Sequence, residues 1–260
     1  MTDILTERSG GILRVELNRP EKKNAMTGAM YTQLANILID AAEDGETRVV
    51  LWHGAGNDFC AGNDVGEFLK APPGPGEAPQ TQLMRAFVGF EKPIVAAVQG
   101  AAVGGGTTML THCDVVYASE TARFQLPFIN LALTPEFGSS YSLPARIGHL
   151  RAAELFLLGE RFSAARAAEL GLVTRVVPDD GLFATAMETA QKLAAKPGGA
   201  LQASKRLLKR GFIDQIKAAI DAEGQEFGER LRSAEAKEAL SAFLEKRPPN
   251  FTKTSAMAAQ

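Results

Sequence analysis

Three short stretches of this sequence carry groups that could stabilise charge or move a proton. The first is Phe59-Cys60-Ala61-Gly62-Asn63-Asp64, where Asp64 and Glu67 have the spacing of a capping pair for a helix over residues 65–70. The same glycine-flanked turn could instead face its backbone amides toward an anionic oxygen. The second is Gly104-Gly105-Gly106, after an apolar run and before helix-forming sequence. Glycines there permit close strand–helix packing, and equally leave N–H groups unhindered at a positive helix end. Each loop alone is ambiguous, but two donor loops in one chain are the parts of an oxyanion hole. The third is Thr134-Pro135-Glu136, which has the grammar of a helix start: a threonine cap, proline at the first position and an acid near the positive dipole end. Phe128, Ile129, Leu131, Leu133 and Phe137 crowd around Glu136, so it also reads as a partly dry carboxylate whose raised pKa suits a base.

Other chemistries lack their residues. No Lys-Ser/Thr follows the glycine cluster as a P-loop requires, it is not Gly-x-Gly-x-x-Gly, and no Gly-x-Ser-x-Gly elbow occurs. His53, His112 and His149 stand apart without metal-ligand spacing and read as core or surface histidines. Cys60 and Cys113 form no Cys-x-x-Cys pair, which fits a reducing compartment. A net charge of −2 supplies no field for phosphate backbones or acidic lipid, so nucleic acid is not expected as a partner. No run approaches the roughly 18 apolar residues that span a bilayer. The N-terminus has no signal or transit pattern, and Ala-Ala-Gln at the C-terminus is not a peroxisomal address. The expectation is a soluble, cytoplasmic protein.

The elements that must position these stretches follow from apolar periodicity. Ile12 to Leu17 reads as a strand with Leu13, Val15 and Leu17 on one face. Thr27 is placed to cap a helix carrying Met30, Leu34, Ile37, Leu38 and Ala41, closed near Gly45. Arg48 to Trp52, Ile94 to Val98 and Val115 to Tyr117 read as buried strands. Pro72, Pro73, Gly74, Pro75, Gly76 and Pro79 predict a mobile surface loop over residues 71–80. From Ser163 the chain reads as mostly helical, with Leu201, Leu208, Phe212, Ile216 and Ile220 as an apolar stripe suited to core or subunit interface. This is an α/β core over residues 1–195 followed by a helical region over 196–260.

Taken together, Phe59 to Asp64, Lys92-Pro93 with Ile94 to Gly100, and Gly104 to Gly106 resemble the crotonase (enoyl-CoA hydratase/isomerase) signature in order and spacing. Asn24-Ala25-Met26, Ser163-Ala164 with Ala167 to Val173, and Phe243 to Pro248 with Phe251 extend the resemblance over almost the whole chain. It implies a crotonase-like spiral of strand-strand-helix turns with a C-terminal helical trimerisation region, assembled as a homotrimer or a dimer of trimers. It also implies an acyl-CoA thioester substrate, with CoA part of that substrate and no separate cofactor or metal. Carried over by position, the backbone N–H groups of Asn63 and Gly105 form the oxyanion hole, and Lys23, Ala25, Ala61, Gly62 and Asp64 lie near the CoA moiety.

Hydratases of this family split water with two glutamates, and this sequence has Thr108 and Phe128 in their places. Neither can exchange protons as a carboxylate does. Glu136, within Leu133 to Ser140, instead resembles the site of Δ3,Δ2-enoyl-CoA isomerases, so the expectation is an isomerase with Glu136 as its base. The competing readings are a hydratase using another residue and a catalytically silent acyl-CoA-binding homologue.

Overall fold

The computed structural model describes residues 2–68 and 77–252. Its larger sheet contains β1 (Ile4–Ser9), β2 (Ile12–Leu17), β3 (Val49–Gly54), β4 (Ile94–Val98), β6 (Val115–Ser119) and β9 (Arg175–Val177), in the order β1-β2-β3-β4-β6-β9. β1 and β2 form an antiparallel hairpin, and every later pairing is parallel. β5 (Ala101–Val103), β7 (Arg123–Gln125) and β8 (Arg161–Ser163) make a second, three-stranded sheet. The helices are α1 (Gly28–Glu43), α2 (Val65–Phe68), α3 (Pro79–Gly89), α4 (Gly105–Thr108), α5 (Ser139–Ile147), α6 (His149–Leu158), α7 (Ala164–Glu169), α8 (Leu182–Ala194), α9 (Gly198–Lys209), α10 (Ile213–Leu231) and α11 (Ala234–Glu245).

The parallel strands are buried on both faces, which is why Val49-Val50-Leu51-Trp52 is an unbroken apolar run. Val50 and Trp52 enter the main core with Leu13, Val15 and Leu17, while Val49 and Leu51 face the opposite side beneath Leu182, Ala186, Ala190 and Ala194 of α8. Helix α1 begins as its sequence dictates, with the Thr27 hydroxyl accepting from the Met30 amide at 3.2 Å.

Several sequence expectations are corrected. Thr134-Pro135-Glu136 opens no helix: α5 starts at Ser139, because Phe137 (φ 63°) and Gly138 (φ 65°) are both left-handed. Asp64 does accept from the Gly66 amide at 3.2 Å, but Glu67 does not complete a reciprocal box, since its carboxylate accepts from the Gly28 amide of α1 at 2.8 Å. Pro79 is the first residue of α3 rather than part of a loop, and the remainder of the proline-rich stretch, residues 71–76, lies outside the described residues together with 69–70. The predicted C-terminal stripe is divided by a break at residues 210–212. Ile216 and Ile220 join the main core, while Leu208 is exposed. Within the mostly helical second half, Arg175–Val177 returns as the edge strand of the larger sheet.

Candidate active site

The candidate site lies where the chain leaves β3 and β5 at their carboxyl ends, the usual location for ligands in parallel sheets. Beyond β3 the segment Cys60–Asp64 is zipped between two neighbours. Cys60 bridges Ala102, with its amide donating to Ala101 O (2.9 Å) and its carbonyl accepting from Val103 N (2.9 Å). On the other side Ala61 N donates to Lys23 O at 2.9 Å, Met26 N to Gly62 O at 2.7 Å and Asp64 N to Met26 O at 2.9 Å. This alternation turns the Asn63 N–H away from Met26.

Gly62 adopts φ +85°, and a Cβ there would meet Val103 O at 2.6 Å. The two loops are thereby held against each other. Gly105 opens α4, a single turn that continues as 3-10 helix over Met109–His112, so its amide is presented by loop geometry more than by a long helix dipole.

Glu136 meets both loops. Asn63 Nδ2 lies 3.3 and 3.4 Å from its two carboxylate oxygens, and the nearby Gly105 backbone N–H also favours the ionised carboxylate. A Cβ on Gly105 would stand 2.7 Å from Glu136 Oε1 and 3.2 Å from Tyr31 Oη, so only glycine leaves room. Burial pushes the Glu136 carboxyl up to about 7; the Asn63 amide opposes this, and the Glu223 charge adds to it. With 4% of its surface exposed, Glu136 is a nearly dry carboxylate that is half ionised near neutrality, as general-base chemistry requires.

A cavity of about 880 Å³ opens onto these groups, with Met26, Met84, Ile220 and Leu231 on its apolar side and Asn63, Asp64 and Glu136 among its polar groups. Gly105 is buried beside Glu136 and is not among the residues lining the cavity. Asp64 is tied to Arg19 at 3.2 Å, and Arg19 also donates to the Ala25 carbonyl at 2.6 Å. Lys23 is exposed and left-handed (φ 51°), with Nζ 3.9 Å from Asp58. Lys23, Ala25, Ala61, Gly62 and Asp64 are thus neighbours along these two segments, and of the five Asp64 lines the cavity. Thr108 and Phe128 are buried: the Thr108 hydroxyl donates to Gly104 O at 3.3 Å, and Phe128 packs on Phe156.

The sequence does not single out Tyr31 or Glu223 beside Glu136, and it marks His112 only as a core or surface histidine. Tyr31 Oη is buried without a hydrogen-bond partner beside Gly105. His112, driven to about 3 by burial and therefore neutral, donates from Nε2 to Phe137 O at 2.7 Å. Glu223 accepts from the Gly138 and Ser140 amides. A signal for Glu223 existed, since it follows Ile216 and Ile220 at helical spacing and so places an acid on a buried face.

The model of the enoyl-CoA hydratase/isomerase family matches residues 7–254. The chain belongs to this family. Within the family it is 36% identical to the 1,2-epoxyphenylacetyl-CoA isomerase of Escherichia coli, over 97% of this chain and 99% of that protein. It is also 36% identical to rat enoyl-CoA delta isomerase 2, over 94% of this chain and 64% of that protein, and 35% identical to the E. coli 2,3-dehydroadipyl-CoA hydratase, over 96% and 99%. The structure of Pseudomonas aeruginosa OdaA superposes with a TM-score of 0.91 at 45% identity, covering 94% of this chain and 99% of that one. The fold is crotonase-like, and the chain is an enzyme of the hydratase/isomerase family acting on acyl-CoA thioesters.

Proposed function

We propose that this enzyme moves the double bond of a 3-enoyl-CoA to the 2-position, with Glu136 as the single acid–base group. The observation that carries the reading is a buried carboxylate poised near pKa 7 on the cavity, while the two positions of the hydratase glutamates hold Thr108 and Phe128.

The C2 proton of a 3-enoyl thioester is acidified by the carbonyl and by the adjacent double bond. Glu136 takes it, electrons shift toward the thioester oxygen, and the resulting dienolate is reprotonated at C4 by the same carboxyl. The Asn63 and Gly105 amides hold the developing oxyanion. In the free protein the Gly105 amide favours the ionised Glu136 carboxylate. Engagement of that amide by the thioester oxygen on binding weakens this influence and so strengthens the base. CoA belongs to the substrate; Asp64 lines the cavity, and Lys23, Ala25, Ala61 and Gly62 are assigned to CoA by their positions in the family signature.

The names of the E. coli and rat isomerases support this reading; the hydratase relative supplies the alternative. Spectroscopic assays with 3-enoyl-CoA and 2-enoyl-CoA in parallel decide between them. The proposal expects turnover of the first; exclusive hydration of the second overturns it, and silence with both would mark a binding homologue.

A further inference from the structure

The peptide units after Glu136 are shaped by side chains from distant elements. Phe137 (φ 63°) and Gly138 (φ 65°) are consecutive left-handed residues, and for phenylalanine this conformation is costly unless its surroundings hold it. Three contacts do so. Glu223 Oε2 accepts from the Gly138 amide at 2.6 Å and Oε1 from the Ser140 amide at 2.7 Å. His112 Nε2 donates to the Phe137 carbonyl at 2.7 Å. Ile216 and Ile220 of α10 pack so closely on Gly138 that a Cβ there would meet Ile216 Cγ2 at 2.8 Å.

Glu223 itself is buried and lines the same cavity as Glu136. A helix cap alone does not need such a residue: Ser163 and Ser233 cap α7 and α11 from within their own segments. Here a carboxylate is brought from 83 and 85 residues away into a dry site.

We propose that Glu223 is a positioning residue for the general base, clamping the left-handed Phe137–Gly138 turn so that the Glu136 carboxylate faces the cavity beside Asn63 and Gly105. The assignment rests on Glu136 being the base. The negative charge of Glu223 has a second effect, disfavouring ionisation of Glu136, while burial raises the Glu223 carboxyl itself above its ordinary value against the pull of the Ser140 and Gly138 amides. The other titratable groups facing Glu136 are Tyr31 from α1, pushed far above its ordinary value by burial, and Cys60, pushed up to about 12. Both are neutral at working pH. The same cavity is lined further out by Asp64, Glu67, Glu77, Glu229 and Arg232.

The test compares wild type, Glu223→Gln and Glu223→Asp as full-length protein. One readout is 3-enoyl-CoA turnover against pH; the other is the titration midpoint of the Glu136 carboxyl, followed by NMR of isotope-labelled glutamates and assigned through Glu136→Gln. In Glu223→Gln an amide nitrogen faces a backbone donor and the charge is gone. The expected result is a fall in kcat of about 10²-fold with KM little changed, together with a Glu136 midpoint displaced to lower pH. Glu223→Asp keeps the charge but is one methylene short, so its midpoint should stay near wild type while kcat falls less.

Wild-type kcat in a folded Glu223→Gln variant overturns the proposal, as does a lower kcat with an unmoved midpoint, which would make Glu223 a packing residue. If Glu223→Gln does not fold, wild-type kcat in Glu223→Asp overturns it, and if neither folds Glu223 is a fold determinant and the assignment falls. Absence of isomerase turnover in the wild type would instead retire the isomerase reading, with the NMR midpoint still reporting whether Glu223 governs the Glu136 carboxyl.

Discussion

The Asn63 side-chain amide nitrogen lies within 3.4 Å of both Glu136 carboxylate oxygens, while Asn63 Oδ1 is buried without a partner. The amide therefore favours the ionised carboxylate and restrains the upward push of burial. Asn63→Ala removes that restraint but keeps the backbone N–H. The Glu136 carboxyl should then titrate above about 7, moving the rising limb of kcat/KM against pH to higher pH, with the plateau at high pH retained to within about tenfold. A pH–rate profile checks this, and an unmoved limb would remove Asn63 from control of the base.

Gly105 is constrained by space rather than by dihedral angle. In Gly105→Ala the new methyl group meets Glu136 Oε1 at 2.7 Å and Tyr31 Oη at 3.2 Å, so the carboxylate must move. A displacement near 1 Å at a reacting group costs about 10²-fold in turnover. Steady-state kinetics with thermal unfolding as a fold control tests it; wild-type kcat in the folded variant would show that the base tolerates displacement.

The sequence disclosed elements whose chemistry is local. The Thr27 cap, the Leu13-Val15-Leu17 face and the strand Ile94–Val98 stand where periodicity placed them. β1 was missed because only Ile4 is buried in an edge strand of otherwise exposed residues, and the second sheet because its strands are three residues long. Glu136 was legible as a buried acid, but Thr134-Pro135-Glu136 misled about its backbone. Those residue types suit a helix start, yet the amides at the real start are served by Glu223, a long-range contact that no local pattern encodes. His112 read as a core histidine and is one, though its hydrogen bond to Phe137 depends on the tertiary fold.

Burying Glu136 has a stability consequence with a definite sign. Its folded pKa of about 7 exceeds the ordinary 4.5, so its contribution is fully present below about 4.5 and is lost as pH rises through about 7. At about 1.4 kcal/mol per pKa unit, the loss approaches about 3 kcal/mol. Glu136→Gln carries no such liability. Its Tm should exceed that of wild type at about pH 8, with the gap closing as pH falls through about 7. Calorimetry across this range checks the expectation, and a pH-independent gap would mean that Glu136 is not held with a raised pKa.

Leu150 and Leu157 of α6, Leu207 and Leu208 of α9, and Phe243 and Leu244 of α11 are exposed in the single chain. Large apolar residues grouped on helix faces favour association. Sedimentation at micromolar concentration should find trimers or hexamers, whereas a stable, active monomer would contradict the trimeric expectation.

The central claim is that one carboxylate performs both proton transfers, and Glu136→Gln tests it most directly because the amide keeps the shape of the side chain but cannot accept a proton. Rates of 3-enoyl-CoA isomerisation should fall by at least about 10²–10⁴-fold, with CoA-ester binding largely retained. Near-wild-type turnover in the folded variant would contradict the account.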